Sequence, residues 1–131
     1  MSKDIELRGN EGIEEAVAAF IGDRTEEKLA ALLGAIRAQM NKGASFVVAV
    51  EPSDAGMRIK EVVLKDGRTC SLVFTSFEEQ MKGTKTISTF MGSIRQLLDG
   101  VINSDGLDGL LLNAYGKAFV IDKRLAKVIV G

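Results

Sequence analysis

The sequence predicts a single α+β domain in which a mixed, mostly antiparallel sheet of about five strands is flanked by helices. Three observations predict this class: amphipathic helical patterns near both ends, short apolar runs of strand length between them, and an Asp-Gly turn joining two of those runs. The expected order is α-α-β-β-β-α-α-β-β-α. At 131 residues, without an internal repeat or a linker, residues 1–131 are expected to form one domain.

Two helices are expected first. Residues 1–9 are polar and are expected to form a flexible tail, and Asn10 is placed to cap a helix that ends at Gly22. A second helix is expected to begin near residues 23–25 and to continue until Asn41-Lys42-Gly43, with Gln39 on its polar face. The apolar face of each helix has the width that packing on a core requires, which favours a structural role.

Three strands are expected in the middle of the chain. Phe46–Val50 is continuously apolar, which indicates a strand that is buried on both faces or nearly so and ends at Pro52. Ser53–Gly56 is expected to form a turn. The next strand covers about 58–64, and its consecutive polar residues Lys60 and Glu61 predict a bulge.

Asp66-Gly67 predicts a hairpin between that strand and the next, with a type I′ turn in which both residues have positive φ. The following strand alternates so that Cys70, Leu72 and Phe74 share the core face. Cys70 is therefore expected to be a buried, unreactive thiol. Ser76 and Glu79 have the spacing of a capping box, which predicts a short helix over 76–81.

The last third of the chain contains the clearest helical periodicity. It predicts a helix from Ile87 to Val101 with Thr86 as a cap. Two strands at 110–112 and 118–121 are expected to form a second hairpin, and the long crossover before them permits a parallel pairing with the first hairpin. Asp122 is expected to cap a final helix with Leu125, Val128 and Ile129 facing inward.

Composition excludes or disfavours several functional classes. A net charge of −1 disfavours nucleic-acid binding, which normally needs a cationic patch. The single cysteine has no intrachain partner, the N-terminus shows no apolar leader, and no run approaches the length of a membrane span. We therefore expect a cytoplasmic protein with neither a membrane nor a nucleic-acid partner.

The chain offers little recognisable catalytic chemistry. It contains no histidine, which removes the commonest general base and metal ligand, and no metal or other cofactor is expected. Gly83-Thr84-Lys85-Thr86 differs from a phosphate loop in its spacing, and residues 103–108 lack the ligand pattern of a calcium loop. The paired glutamates fall in first helical turns, where a structural role is favoured. These features argue against an enzyme.

One set of short motifs resembles a known family. Asp66-Gly67, the strand end Leu72–Ser76, Gly109–Asn113, and Phe119 before a closing helix are similar to the N-terminal domain of the SseB-like family. In that family a strand typically ends in Phe-Thr-Ser, and a later strand ends in Asn-Pro, whereas here Ala114 follows Asn113. The resemblance covers residues from about 44 to 130. It implies a small α+β domain with no established enzymatic activity.

Function is expected to reside in protein recognition. The leading hypothesis is a non-catalytic interaction or regulatory domain whose partner is an unidentified protein or a second copy of the chain, and the alternative is a small-ligand or anion-binding module. Loops at strand ends are favoured recognition positions because the sheet holds them rigidly. The candidate interaction residues are Asn113, Tyr115 and Lys117 in one loop, with Lys82 and Lys85 in another.

Overall fold

The structure is a computed structural model that describes residues 5–83 and 88–131. Its elements in chain order are a 3₁₀ helix at Ile5–Leu7, α1 (Glu11–Gly22), α2 (Glu26–Asn41), β1 (Ser45–Ser53), β2 (Gly56–Ile59), β3 (Glu61–Val63), β4 (Thr69–Phe74), α3 (Phe77–Met81), β5 (Ser88–Ser93), α4 (Ile94–Ile102), β6 (Gly109–Leu112), β7 (Phe119–Asp122) and α5 (Lys123–Val130).

The α+β class is confirmed, and the strands form one mixed sheet. The described chain contains seven strands where about five were expected, in the order β2-β1-β4-β6-β7, with β3 also paired to β4 and β5 to β1. The β4–β6 pair is parallel and every other pair is antiparallel. The predicted crossover between the two hairpins therefore produces the parallel neighbours.

The sheet is buried on both faces near its centre. Side chains of α1, α2, α4 and α5 pack on one face and form the larger core with Phe46, Val48 and Val73. A smaller core on the opposite face contains Val47 and Leu72. Burial of β1 on both faces was predicted, but β4 was expected to have only one core face and in fact buries both.

The N-terminal segment departs from the expected flexible tail. Residues 5–9 are ordered, and Leu7 is buried in the smaller core. The sequence pattern could not show this contact because two apolar residues, Ile5 and Leu7, in a polar stretch are too few to define a periodicity. Residues 1–4 lie outside the described part of the chain.

Strand β1 does not end at Pro52, as had been predicted, but continues to Ser53. Lys60 N donates to Ala49 O at 2.8 Å, and this register leaves Pro52 at a position whose missing N–H points away from β2. Proline is tolerated beside β2 because no hydrogen bond to that strand is lost.

The predicted strand over 58–64 is divided at Lys60, where a bulge was expected. Lys60 N bonds to Ala49 O of β1, and Lys60 O accepts from Leu72 N of β4 at 3.1 Å. The backbone of Lys60 thus bridges the two strands beyond the end of their direct pairing at Val48 and Val73. At this interruption the pairing partner changes, since β2 before Lys60 pairs with β1 and β3 after it pairs with β4.

The Asp66-Gly67 hairpin is confirmed, but its turn type was wrong. Only Gly67 has positive φ, at 91°, and its N–H donates to Leu64 O at 2.9 Å. Leu64 N in turn donates to Arg68 O at 2.8 Å. This is a three-residue loop with a glycine bulge, in which Asp66 instead accepts from Arg68 N at 3.1 Å.

The helix predicted from Ile87 to Val101 is wrong in its first half. Residues Ser88–Ser93 form β5, an antiparallel partner of β1, and only Ile94–Ile102 is helical. Ser93 caps this helix by accepting from Gln96 N at 3.2 Å, a Ser-x-x-Gln signal that the apolar periodicity obscured. The predicted cap Thr86 lies outside the described residues.

The C-terminal hairpin and helix are confirmed. β6 pairs with β7, and Asp122 caps α5 by accepting from Leu125 N at 2.8 Å. Ile129 faces the core as predicted, but Val128 is exposed, and Ala126 occupies the buried position instead. Residues 126 and 129 are three positions apart and therefore share the inner face of α5, while residue 128 lies on the outer side.

Ser76 caps α3 as predicted, by accepting from Glu79 N at 3.1 Å. The second bond of a capping box would run from Ser76 N–H to the Glu79 carboxylate, but here Glu79 Oε2 accepts from Lys82 Nζ at 2.6 Å.

We expect Ser76→Ala to lower the free energy of unfolding by about 0.5 to 2 kcal/mol. Urea denaturation of this variant beside Ser76→Thr, which keeps the acceptor, tests the expectation. Equal midpoints for Ser76→Ala and wild type would contradict it.

Candidate functional site

The candidate residues lie where the parallel strands β4 and β6 leave the sheet. Val73 pairs with Leu112, so the segments that follow the two strands emerge at the same edge. The continuation of β4 turns into α3, and the continuation of β6 forms the loop 113–117. Asn113 N donates to Val73 O at 2.9 Å and extends the pairing by one bond.

Asn113 fixes the loop to the end of β4. Its φ is 55°, a left-handed value that asparagine tolerates better than most side chains, and the residue is buried. Its Oδ1 accepts from Thr75 N at 2.9 Å, and its Nδ2 donates to Thr75 Oγ1 at 3.1 Å. Asn113 is therefore a buried positioning residue, not the exposed contact residue that the sequence suggested.

Thr75 extends this polar contact to α1. Its hydroxyl donates to Glu14 Oε2 at 2.5 Å while accepting from Asn113 Nδ2. Thr75 itself is fully buried. The chain Asn113–Thr75–Glu14 thus connects three elements that are far apart in sequence.

Tyr115 is half-buried. Its ring stacks on buried Phe74, with centroids 5.5 Å apart and planes inclined by 29°. A Cβ at Gly83 would overlap the ring, so the absence of a side chain there lets the segment after α3 lie flat against Tyr115. Tyr115 is 38% exposed, so its ring covers Phe74 and is also presented to solvent.

Glu79 and Lys82, at the end of α3, lie against Gly116 of the 113–117 loop. Lys82 Nζ contacts Glu79 Oε2 at 2.6 Å, and a Cβ on Gly116 would lie 2.7 Å from Glu79 Oε1. Gly116 therefore permits the carboxylate to approach the loop backbone. Within the described chain, Glu79 Oε1 is buried and has no hydrogen-bond partner.

These groups line a cavity of about 220 Å³, which we call the corner pocket. Its lining residues are Glu14, Val17, Glu79, Lys82, Asn113 and Lys117. Lys117 is exposed and makes no ion pair with another described residue. Three of the five predicted candidates, Lys82, Asn113 and Lys117, thus line one pocket, and Tyr115 lies in the same loop as Asn113 and Lys117. Lys85 lies outside the described residues.

Sequence reasoning missed the contributions of Glu14 and Thr75. Glu14 was interpreted only as a favourable charge in a first helical turn, and it lies 61 positions from Thr75. Thr75 belongs to the Phe-Thr-Ser motif that carried the family resemblance. That motif was the one signal that could have directed attention to it.

A second, larger concavity of about 520 Å³ lies on the outer strands, lined by residues that include Glu51, Arg58 and Thr69. Arg58 Nη2 contacts Glu51 Oε2 at 2.9 Å, and this guanidinium is the main reason that the pKa of Glu51 is lowered. Glu51 and Arg58 are therefore paired with each other, whereas Glu61, which also lines this concavity, makes no ion pair with another described residue. None of the described candidate residues lines this concavity.

Cys70 is fully buried, as predicted. Desolvation raises the pKa of its thiol, and the charge of Arg68 only partly opposes that effect. We expect the native thiol to react slowly with a disulfide reagent at neutral pH and faster only as the pH rises above the ordinary thiol range. Comparing labelling rates in buffer and in urea from pH 7 to 10 checks this. Rapid stoichiometric labelling of the folded protein at pH 7 would contradict it.

The described residues contain no cluster of three or more acidic or cysteine side chains arranged to hold a metal ion. Among the described helices, none combines the length and apolar character needed to cross a membrane. Comparison with protein-family models, curated proteins and solved structures found no match to this chain. The resemblance to the SseB-like family therefore stays a prediction from the motifs.

Proposed function

We propose that this chain is a non-catalytic, cytoplasmic interaction or regulatory domain, similar in role to the SseB-like N-terminal domain, which binds a protein partner at the corner formed by the 113–117 loop and α3. The observation that carries the proposal is the convergence of two distant segments on a polar pocket beside a half-exposed tyrosine ring. Rigid aromatic rings bordering polar groups are typical anchors of protein interfaces.

The size of the corner pocket favours a protein partner over a metabolite. At about 220 Å³ it is smaller than the roughly 300 to 1,000 Å³ of sites that enclose drug-sized ligands. A single side chain of a partner fits this volume, while the partner's surface covers Tyr115 and Lys117. Tyr115 offers its hydroxyl, which is not hydrogen-bonded to any described residue.

The alternative, an anion-binding module, has one observation in its favour, the exposed Lys117, which forms no ion pair with another described residue. The other groups in the pocket oppose it. Lys82 is already neutralised by Glu79, and Glu14 adds a second carboxylate. An anion would therefore meet two negative groups, which makes a protein partner the better proposal.

Substitution of Tyr115 tests the proposal on a complex captured from the native cell. We expect Tyr115→Ala to weaken that complex by more than about 1 kcal/mol, because anchor residues at interfaces cost this much when truncated. It will also lower the melting temperature, since Phe74 loses its covering ring. Binding is measured by titration well below that melting temperature.

Two further variants separate binding from folding. Tyr115→Phe keeps the stacked ring and removes only the hydroxyl, and Lys117→Ala removes an exposed cation with no described ion pair. Lys65→Ala, in the turn after β3, is the matched control. Weakening by Lys117→Ala but not by Lys65→Ala supports the corner. A complex that is unchanged by both Tyr115→Ala and Lys117→Ala places the interface elsewhere.

A further inference from the structure

The outer edge of β5 carries backbone groups that no strand of the described chain pairs. Ile94 N donates to Ala44 O at 3.0 Å, and hydrogen-bonded and non-hydrogen-bonded residue pairs alternate from there along the antiparallel β1–β5 pair. By this alternation, the N–H and C=O groups of Phe90 point toward β1, whereas those of Thr89 and Met91 point to the opposite side. Among the described strands β5 pairs with β1 alone, so the groups of Thr89 and Met91 face an edge that no described strand covers.

The side chains of β5 do not protect this edge. Edge strands are normally shielded by charged residues, proline, a bulge or a very short length. β5 has six residues, Ser-Thr-Phe-Met-Gly-Ser, with no charge and no proline, and Phe90 is 44% exposed. By contrast, β7 at the far end of the sheet has four residues, ends in Asp122 and is followed by Lys123 and Arg124.

We propose that β5 pairs with β5 of a second copy of this chain, antiparallel and about a two-fold axis at Phe90. In this register Thr89 N–H donates to Met91 O of the other copy, Met91 N–H donates to Thr89 O, and the symmetry repeats both bonds. Phe90 then faces its own counterpart in a non-hydrogen-bonded pair, the position in which cross-strand side chains lie closest. The two sheets become one continuous sheet.

The strand is complementary to itself, which is why a second copy is the occupant. A two-fold axis at Phe90 places the strand against the same six residues of its copy, so like charges on the strand would repel each other, but β5 carries no charge. The two exposed Phe90 rings cover each other, and Gly92 presents no side chain opposite Ser88. This surface is separate from the corner pocket, so the dimer and the protein partner can be tested independently.

Sedimentation equilibrium of the full chain from micromolar to millimolar concentration tests the proposal. We expect a concentration-dependent dimer, because a single strand pair makes a small interface. Thr89→Pro removes one outward N–H from each copy while leaving the bonds to β1 in place, and should raise the dimer Kd at least about tenfold. Thr89→Ala keeps the N–H and should dimerise as wild type does.

Phe90→Lys provides a second test at a position where an exposed side chain is tolerated. Two like charges at the two-fold axis should abolish the dimer, while circular dichroism shows the wild-type fold. A chain that is monomeric at every concentration overturns the proposal. Folded Thr89→Pro and Phe90→Lys variants that dimerise as tightly as wild type would also overturn it, since the dimer then uses another surface.

Discussion

Asn113→Ala is expected to lower the free energy of unfolding by about 3 kcal/mol. Two effects add. The buried N–H of Thr75 loses its acceptor, which costs about 1 to 3 kcal/mol, and alanine is strained at the left-handed φ of 55° by about 1 to 2 kcal/mol. Chemical denaturation measures the sum.

Asn113→Gly separates the two effects, because glycine adopts positive φ without strain but cannot accept from Thr75. It should therefore be more stable than Asn113→Ala by about 1 kcal/mol and still less stable than wild type. Asn103→Ala is the matched control, since its amide donates to Asp99 O in an exposed position. Equal losses for Asn113→Ala and Asn103→Ala would show that the Asn113 contacts contribute little.

Asn10→Ala is expected to cost about 2 to 4 kcal/mol. Asn10 is buried, its Nδ2 donates to Ser45 O at 2.9 Å and Thr75 O at 3.0 Å, and its Oδ1 accepts from Gln39 Nε2 at 2.9 Å. Alanine leaves two carbonyls unpaired in the interior, each at about 1 to 3 kcal/mol before partial relaxation. Thermal and urea unfolding both measure the loss.

Asn10→Asp distinguishes this role from the cap that the sequence suggested. Aspartate is as good a helix cap as asparagine, so a pure capping role predicts a stable variant. The structure shows no hydrogen bond from the Asn10 side chain to the start of α1. Aspartate would place a carboxylate against the Ser45 and Thr75 carbonyls, and we expect it to be at least as destabilised as Asn10→Ala. A wild-type midpoint for Asn10→Asp would restore the capping interpretation.

Local signals in the sequence predicted the parts of the fold that neighbouring residues determine. Ser76 and Asp122 each cap a helix through a residue three positions away, Thr25 does so within the expected helix start at 23–25, and the Asp66-Gly67 turn joins adjacent strands. These interactions depend on a few consecutive residues, so the pattern of residue types is enough to identify them.

Long-range pairing was the part that the sequence could not determine. β5 has apolar residues at helical spacing, and it becomes a strand because β1 has a free edge there. Gln39 lies on the predicted polar face of α2, yet it is buried because it donates to Arg8 O at 2.8 Å and to Asn10. Both outcomes depend on residues at least 29 positions away, which periodicity does not report.

The sequence also indicated some features of the candidate site and not others. The sequence directed attention to two loops at strand ends, and Lys82, Asn113 and Lys117 from these loops line one pocket. The burial of Asn113 and the participation of Glu14 could not be foreseen, since both require knowledge of the parallel β4–β6 pairing and of the position of α1.

Site-specific photocrosslinking in the native cell tests the interaction role most directly. A photoreactive phenylalanine analogue is placed at Lys117, beside the corner pocket, and in a second variant at Lys65, in the turn between β3 and β4. Both positions are exposed, so neither change should affect folding. A discrete adduct with one protein from position 117, absent from position 65 and reduced by Tyr115→Phe or Tyr115→Ala, is the result we predict. Equal adducts from both positions, or a specific adduct only from position 65, would contradict the proposed interface.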